Sequence, residues 1–376
     1  MELQEGVYPP RQNRRIELQT SEGSWISRFK NRAQQLFQKE HKRDEPEIDI
    51  DIFYAPHLTP EDDKELVARF DRADIFIPEN IRWTQEAFKI LNDVSYGKRS
   101  VEDAGMKFYD QRGLALLELF ANSHKPIIFI DLPSNHPLLQ ERDDRDSSSL
   151  VSVLGPLNSN DSFTSLIDRE KSLIVEQDTF QEKREEYMLA QLPKAVQRTV
   201  RENPSLRAKK KLQVLLQLGP VHTPIFHALR RTGQEVTRYF TSSPFIYNFH
   251  AEAVRRHRFN REVDDTLVAR VWLENFTGGM FISGDFDLTQ NTTKSVQFQR
   301  KLIDQFSFEE IEDIFNKLSP ITRESASTGI QREKVNERIH EVQAIFRERL
   351  REKGVQLPQS EVELDEFLAS KELPKP

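Results

Sequence analysis

The sequence predicts an α/β protein with a mainly parallel core sheet flanked by helices, and with helical extensions at both ends. Two segments of the same kind support this fold class. Each runs from an apolar strand to a histidine, then to a Thr-Pro pair, a helix and a second strand; residues 48–78 contain His57 and residues 212–240 contain His222. Strands that alternate with helices favour parallel pairing. Because two copies of one pattern are difficult to attribute to chance, we place the core sheet here.

Short apolar runs predict the strands, since each has strand length or an alternating apolar pattern. They are Ile48–Phe53, Asp74–Pro78, Pro126–Asp131, Leu212–Leu218 and Val236–Phe240. In both repeats the threonine and proline are typical of a helix N-cap and its first turn. Gly233 is expected to end the second of these helices.

Helical spacing of apolar residues predicts the remaining elements. The predicted helices are Ser24–Lys42, Trp83–Val94, Val101–Ser123, Leu166–Asn203, Ala251–Arg258, Asp264–Phe276, Val296–Leu318, Ile330–Lys353 and Glu361–Ser370. Pro193 should kink or divide the longest of them, and Gly278-Gly279 suggests a strand or loop. We therefore expect an N-terminal extension with an amphipathic helix (residues 1–45), a core domain (46–245) with a mobile loop at 132–162, and a helical C-terminal region (246–376). That region would cover the core or form a homo-oligomer.

Composition limits the classes of function. The chain has 376 residues, no cysteine and a net charge of −7. The lack of cysteine excludes disulfides, thiolate metal sites and cysteine nucleophiles, and fits a reducing compartment. We see neither a secretory signal nor an apolar run of membrane-spanning length, so we expect a cytoplasmic protein with no membrane partner. The acidic charge argues against nucleic acid as a partner, and contact through the basic stretch Lys194–Lys211 ranks last.

Polar residues stand at the ends of four predicted strands: His57, Glu79, Asp131 and His222. Because parallel strands end at one edge of a sheet, these side chains should share one cleft. Two imidazoles with one or two carboxylates suit a divalent transition metal such as zinc, manganese or iron, which would activate water. Alternatively, a histidine acts as a general base that a carboxylate orients. Each residue also has a structural explanation, as a helix cap or a backbone hydrogen-bond partner.

The same residues resemble the TraB/PrgY (pheromone-shutdown) and Tiki-type family, which is related to the erythromycin esterase/ChaN-like group. Gly219-Pro220-Val221-His222 matches the second Gly-x-x-His motif of that family. Tyr54-Ala55-Pro56-His57 takes the place of the first, with Tyr54 instead of glycine. Glu79 in Ile77-Pro78-Glu79 matches the family's glutamate, and Arg184 in Lys183-Arg184-Glu185 fits its arginine. The resemblance covers residues 48–240.

This resemblance implies an α/β fold with the histidines and the glutamate in one cleft. Tiki-type members are metal-dependent proteases, the esterase relatives hydrolyse a lactone without a required metal, and ChaN-like members bind haem iron. We therefore expect a hydrolase of amide, ester or peptide bonds, acting on a small molecule or a peptide. His57, Glu79 and His222 would hold a metal or activate water, Asp131 would be a supporting ligand or orienter, and Arg184 would stabilise the developing anion. The alternative is a non-catalytic binding or regulatory protein that uses the cleft for a small anionic ligand.

Overall fold

The core of the molecule is a parallel β-sheet. The computed structural model describes residues 46–55, 60–105, 117–146, 162–241, 246–282, 292–327 and 344–370. The strands are β1 (Glu47–Tyr54), β2 (Ile75–Pro78), β3 (Lys211–Leu218) and β4 (Glu235–Phe240), in the order β2-β3-β1-β4. Every pairing between them is parallel. The predicted α/β fold class with a parallel core sheet is therefore confirmed.

The segment predicted as a strand at Pro126–Asp131 is not a regular strand. It touches β2 through one parallel bridge, between Phe76 and Ile127. On its outer side, the backbone N–H of Ile127 donates to Oδ1 of Asn92 (3.1 Å), and its carbonyl accepts from Nδ2 of Asn92 (2.9 Å). Because a side-chain amide satisfies the backbone there, the segment needs no further strand as a partner. It still brings Asp131 to the sheet edge where β2 ends.

Helices account for most of the remaining described chain. Their bounds are α1 (Pro60–Phe70), α2 (Gln85–Ser95), α3 (Val101–Gly105), α4 (Pro137–Asp146), α5 (Phe163–Glu202), α6 (Pro204–Arg207), α7 (Thr223–Arg231), α8 (Phe249–Arg258), α9 (Asp265–Ile282), α10 (Thr292–Ile303), α11 (Phe308–Ser327) and α12 (Glu361–Ala369). Residues 117–120 and 344–352 are also helical. Side-chain oxygens of Thr84, Ser162, Asn248 and Ser360 accept backbone N–H bonds at the starts of α2, α5, α8 and α12, which explains where these helices begin.

Several predicted elements differ from the structure. Helix α5 continues through Pro193, because burial of this part of the helix against the sheet offsets the lost backbone hydrogen bond. Part of the predicted loop 132–162 forms α4, and α9 runs past Gly278-Gly279. The predicted helix Val296–Leu318 is two helices, α10 and α11. The predicted helix Ser24–Lys42, the central part of Val101–Ser123 and the start of Ile330–Lys353 lie outside the described residues.

Three apolar clusters fill the interior. One lies on the sheet face covered by α7 and the second half of α5, and includes Ile52, Leu192 and Leu216. The second lies on the opposite face, under α1 and α2. The third joins the first half of α5 to the C-terminal helices around Trp272. Helix α5 has 40 residues and is about 60 Å long, so it belongs to both the sheet layer and the helical region. Among the described residues, no helix has the length and apolar character required to cross a bilayer.

Candidate functional site

The site begins where β2 and β3 end. Glu79 follows β2, and its backbone N–H donates to the carbonyl of Gln217 (2.8 Å). Its Oε2 accepts a hydrogen bond from the backbone N–H of Gly219. A Cβ atom at position 219 would lie 3.0 Å from this oxygen, so glycine is the residue that lets the carboxylate approach the backbone without a displacement. The glycine of the second Gly-x-x-His motif is therefore a contact of Glu79.

His222 is fully buried between two carboxylates. Its Nε2 lies 3.3 Å from Oε1 of Glu79, and its Nδ1 lies 3.0 Å from Oε1 of Glu185. Burial alone would lower the pKa of His222, but the charge of Glu79 and the hydrogen bonds to both carboxylates outweigh it and raise the pKa to about 9. Burial likewise acts to raise the pKa of Glu79, yet His222 and Arg184 hold it well below its usual value. The pair is therefore an imidazolium and a carboxylate at neutral pH.

Arg184 joins Glu79 to Asp131. Its Nε lies 2.8 Å from Oδ1 of Asp131 and its Nη2 lies 2.5 Å from Oδ2, which is a bidentate pair. The same Nη2 lies 2.8 Å from Oε1 of Glu79. Oδ1 of Asp131 also accepts from the N–H of Leu132 (2.7 Å). Helix α5 thus delivers a guanidinium to the end of the sheet, where it separates two carboxylates.

A second layer of ion pairs lies behind Glu185. Nη1 of Arg258 on α8 lies 2.8 Å from Oε2 of Glu185, and its Nε contacts a carboxylate oxygen of Asp178. Its Nη2 donates to the carbonyl of Asp178 (2.6 Å), and Nδ1 of His257 lies 2.6 Å from the same carboxylate. Arg258 and Glu185 are almost completely buried. Helix α8 therefore fixes Glu185, which in turn fixes His222.

The structure brings together four of the five residues that the sequence selects: Glu79, Asp131, Arg184 and His222. His57 lies outside the described residues, so its role stays a prediction. Sequence reasoning missed Glu185, Asp178 and Arg258. A signal was present for the two acids, because Asp178 and Glu185 are seven residues apart on α5 and therefore share one face with buried neighbours. Nothing in the sequence marks Arg258 as their partner, because it comes from a distant helix.

Tyr54, which replaces the glycine of the first motif, has a structural role. Its hydroxyl donates to the backbone carbonyl of His222 (3.1 Å), and its ring stacks on Phe240 with centroids 5.2 Å apart. The side chain is fully buried in the cluster between the sheet and α5. Tyr54 therefore helps to fix the backbone of His222.

The expected metal stays a prediction, because its proposed ligand His57 lies outside the described residues; the described candidate ligands already have other partners. Both oxygens of Asp131 and Oε1 of Glu79 face the guanidinium of Arg184, and a cation between these carboxylates would meet a charge of its own sign. Across the described ranges, ligand spacing for a metal occurs at Glu47, Asp49 and Glu235. These residues lie at the opposite end of the strands, where Nζ of Lys211 is already 2.7 Å from Asp49 and 3.7 Å from Glu235.

The fold and the site define an α/β protein with a buried cluster of ion pairs at the carboxyl edge of its parallel sheet. No family model, curated protein or solved structure matches the chain. The resemblance to the TraB/PrgY and Tiki-type family therefore stays a prediction that rests on the motifs around Glu79, Arg184 and His222.

Proposed function

We propose that the chain is a hydrolase of ester or amide bonds, including peptide bonds, that works without a metal and uses Glu79 to orient and activate water. One observation carries this proposal. The side chain of Glu79 is 21% exposed, whereas those of Arg184, Asp131 and His222 are at most 5% exposed. Among the described residues of the cluster, a substrate that enters from solvent therefore meets the carboxylate of Glu79, and the buried cations contact this carboxylate from the protein interior.

Two cations and one backbone N–H fix the orientation of Glu79. Arg184 and His222 contact Oε1, and Gly219 contacts Oε2. The remaining lone pairs of the carboxylate accept a hydrogen bond from water. The water oxygen attacks the carbonyl carbon while its proton passes to Glu79, and the tetrahedral intermediate then expels the leaving oxygen or nitrogen, which takes that proton from Glu79. Arg184 and His222 act as positioning residues, because they hold the carboxylate of Glu79 in one orientation.

The low pKa of Glu79 has a consequence for the pH profile. A carboxylate that stays ionised in acid is a weak base, but it keeps its catalytic form at low pH. We expect the acidic limb of the rate profile to lie below the ordinary glutamate pKa of 4.5. An enzyme that uses a metal-bound water would instead lose activity as the pH falls below ~7, because the bound water is then protonated. The proposed reaction needs no metal, so a chelator should have no effect on it.

A second candidate is a non-catalytic binding or regulatory protein that holds a small anionic ligand in the same cleft. The pairing of Arg184 and of His222 with two carboxylates each favours a non-catalytic role, because it is also the pattern of a structural ion-pair cluster. The start of α7, next to His222, would supply backbone N–H groups to the anion. This candidate predicts binding without turnover.

The test measures hydrolysis of aryl esters, a lactone and a peptide mixture by the wild-type protein, with and without a chelator. Glu79→Gln keeps the shape of the side chain but removes the base, and should lower turnover ~100-fold or more. Glu102→Gln, at an exposed position on α3, is the matched control and should leave turnover unchanged. His57→Ala, assayed beside them, tests the residue that only the sequence selects.

Each outcome decides between the candidates. Turnover that survives the chelator and disappears in Glu79→Gln supports the hydrolase. Turnover that the chelator abolishes would contradict the metal-free reaction. Equal non-zero rates for wild type and Glu79→Gln would refute the role of Glu79. No turnover above buffer would refute the hydrolase and favour the binding protein. A thermal melt of each variant separates loss of chemistry from loss of fold.

A further inference from the structure

Four arginines form a basic surface beside the site. Arg230 and Arg231 end α7, Arg238 lies on β4, and Arg255 lies on α8; we call them the arginine patch. The first three are exposed and Arg255 is half-buried. Within the described ranges, none of the four has a carboxylate within 4 Å; Glu252 on α8 pairs with Arg256 and Arg300 instead. In a chain of net charge −7, four unneutralised guanidinium groups on one surface indicate a partner of negative charge.

Aromatic rings hold the first part of this patch in place. The Cζ atom of Arg238 lies 4.6 Å from the ring centroid of Phe226 and 5.8 Å from that of Phe240. The Cζ atom of Arg230 lies 5.7 Å from the same Phe226 ring. Both guanidinium groups therefore lie within about 6 Å of the centroid of one aromatic ring.

The second part is built in the same way around Arg255. Its Cζ atom lies 3.9 Å from the ring of Tyr247 and 6.0 Å from that of Phe259, and its Nε donates to Oγ1 of Thr223 (3.2 Å). The ring of His227 connects the two parts, with its centroid 5.3 Å from that of Phe226 and 5.8 Å from that of Phe259. The patch is thus one continuous surface and not a scatter of separate charges.

Ring contacts reduce the entropy that an arginine loses when it binds a ligand, because the side chain is already ordered. The guanidinium edges keep their N–H groups for an acceptor with several oxygens. A phosphate offers such oxygens and accepts bidentate bonds from arginine. Burial and the four arginines also lower the pKa of His227, so at neutral pH the positive charge comes from the guanidinium groups. An added anion would relieve their mutual repulsion.

We propose that the arginine patch is a binding site for a small phosphate-bearing ligand. A small ligand fits better than a nucleic acid, because guanidinium groups already cover the rings of Phe226 and Tyr247, on which bases would otherwise stack. The site stands apart from Glu79 and does not depend on hydrolase activity. It adjoins the cluster through the contact of Arg255 with Thr223, the residue after His222.

The test is calorimetric titration of the full chain with inorganic pyrophosphate, at low and at physiological salt. Wild type should bind with an affinity that falls as salt rises. Arg238→Gln should weaken binding about ten-fold, as expected for loss of one charge-assisted contact. Arg230→Gln, at an exposed position, serves as a second variant if Arg238→Gln does not fold. Arg198→Gln removes the same charge from an exposed position on α5 and should bind like wild type.

Three results would overturn the proposal. The first is no binding of pyrophosphate by folded wild type. The second is an equal loss of affinity in Arg198→Gln and in the patch variants, which would mean attraction by overall charge alone. The third is binding of a single-stranded RNA oligonucleotide that exceeds pyrophosphate binding and is lost in Arg238→Gln, which would assign the patch to nucleic acid.

Discussion

The charge of buried His222 should make the stability of the protein depend on pH in a range where few other groups titrate. The pKa of this histidine is about 9 in the folded protein, against an ordinary value of 6.5. Because the folded pKa is the higher one, the stabilisation is fully present below about pH 6.5 and is lost as the pH rises through 9. At ~1.36 kcal/mol for each pKa unit, the loss is about 3 kcal/mol.

The assay compares two proteins so that other titrations cancel. Urea unfolding of wild type and of His222→Gln is measured in steps from about pH 6 to about pH 10. His222→Gln is less stable at every pH because the two carboxylates lose their imidazolium partner, but its free energy of unfolding should fall about 3 kcal/mol less over this range. His227→Gln is the control, since burial and the neighbouring arginines lower the pKa of His227, so it loses no charge at the alkaline end of this range.

Parallel pH profiles for wild type and His222→Gln would refute this reasoning. They would mean that His222 is neutral in the folded protein, and that its two short contacts to Glu79 and Glu185 are hydrogen bonds of a neutral ring. A profile for His227→Gln that differs from wild type above about pH 7 would point to another titrating group. A neutral imidazole, and not an imidazolium, would then position Glu79.

Two further changes test the surroundings of the site. Arg258→Met should lower the free energy of unfolding by about 3–5 kcal/mol, because it removes the buried cation that Asp178 and Glu185 share. Arg256→Met, a half-exposed neighbour, should cost below ~1 kcal/mol, and equal losses in urea unfolding would contradict the burial argument. Tyr54→Phe should cost about 1 kcal/mol in the same measurement, since the carbonyl of His222 loses its donor, and an unchanged midpoint would mean that this hydrogen bond is unimportant.

The fold class was predictable because the strands are short apolar runs with clear ends. The boundary between α10 and α11 was missed although its signal is local. The N–H of Ser307 donates to Oε2 of Glu310 (2.8 Å), and the N–H of Glu310 donates to Oγ of Ser307 (3.3 Å), which is a capping box. The irregular segment at Ile127 was not predictable, because Asn92, 35 residues away, satisfies its backbone.

The candidate site was predictable where it depends on strand ends. Glu79 and Asp131 directly follow the segments that position them, so topology alone places them at one edge. The pairing of their charges could not be predicted, because it depends on how far α5 reaches and how it is rotated. Arg184 turns toward Asp131, and the neighbouring Glu185 turns toward His222 and Arg258. Only the packing of α5 between two cores decides which neighbour faces which charge.

Helix α5 also determines how the molecule can come apart. In the sequence, α5 lies between β2 and β3, which are adjacent strands in the sheet. Helices that follow β4 pack against its first half. A chain cut after the sheet would leave Phe163, Ile167 and Ile174 without their apolar neighbours. Neither part is then a self-sufficient folding unit, and thermal unfolding should be a single cooperative transition. Because α5 is continuous, packing of the C-terminal region against its first half also stabilises the sheet, and the two regions should unfold together.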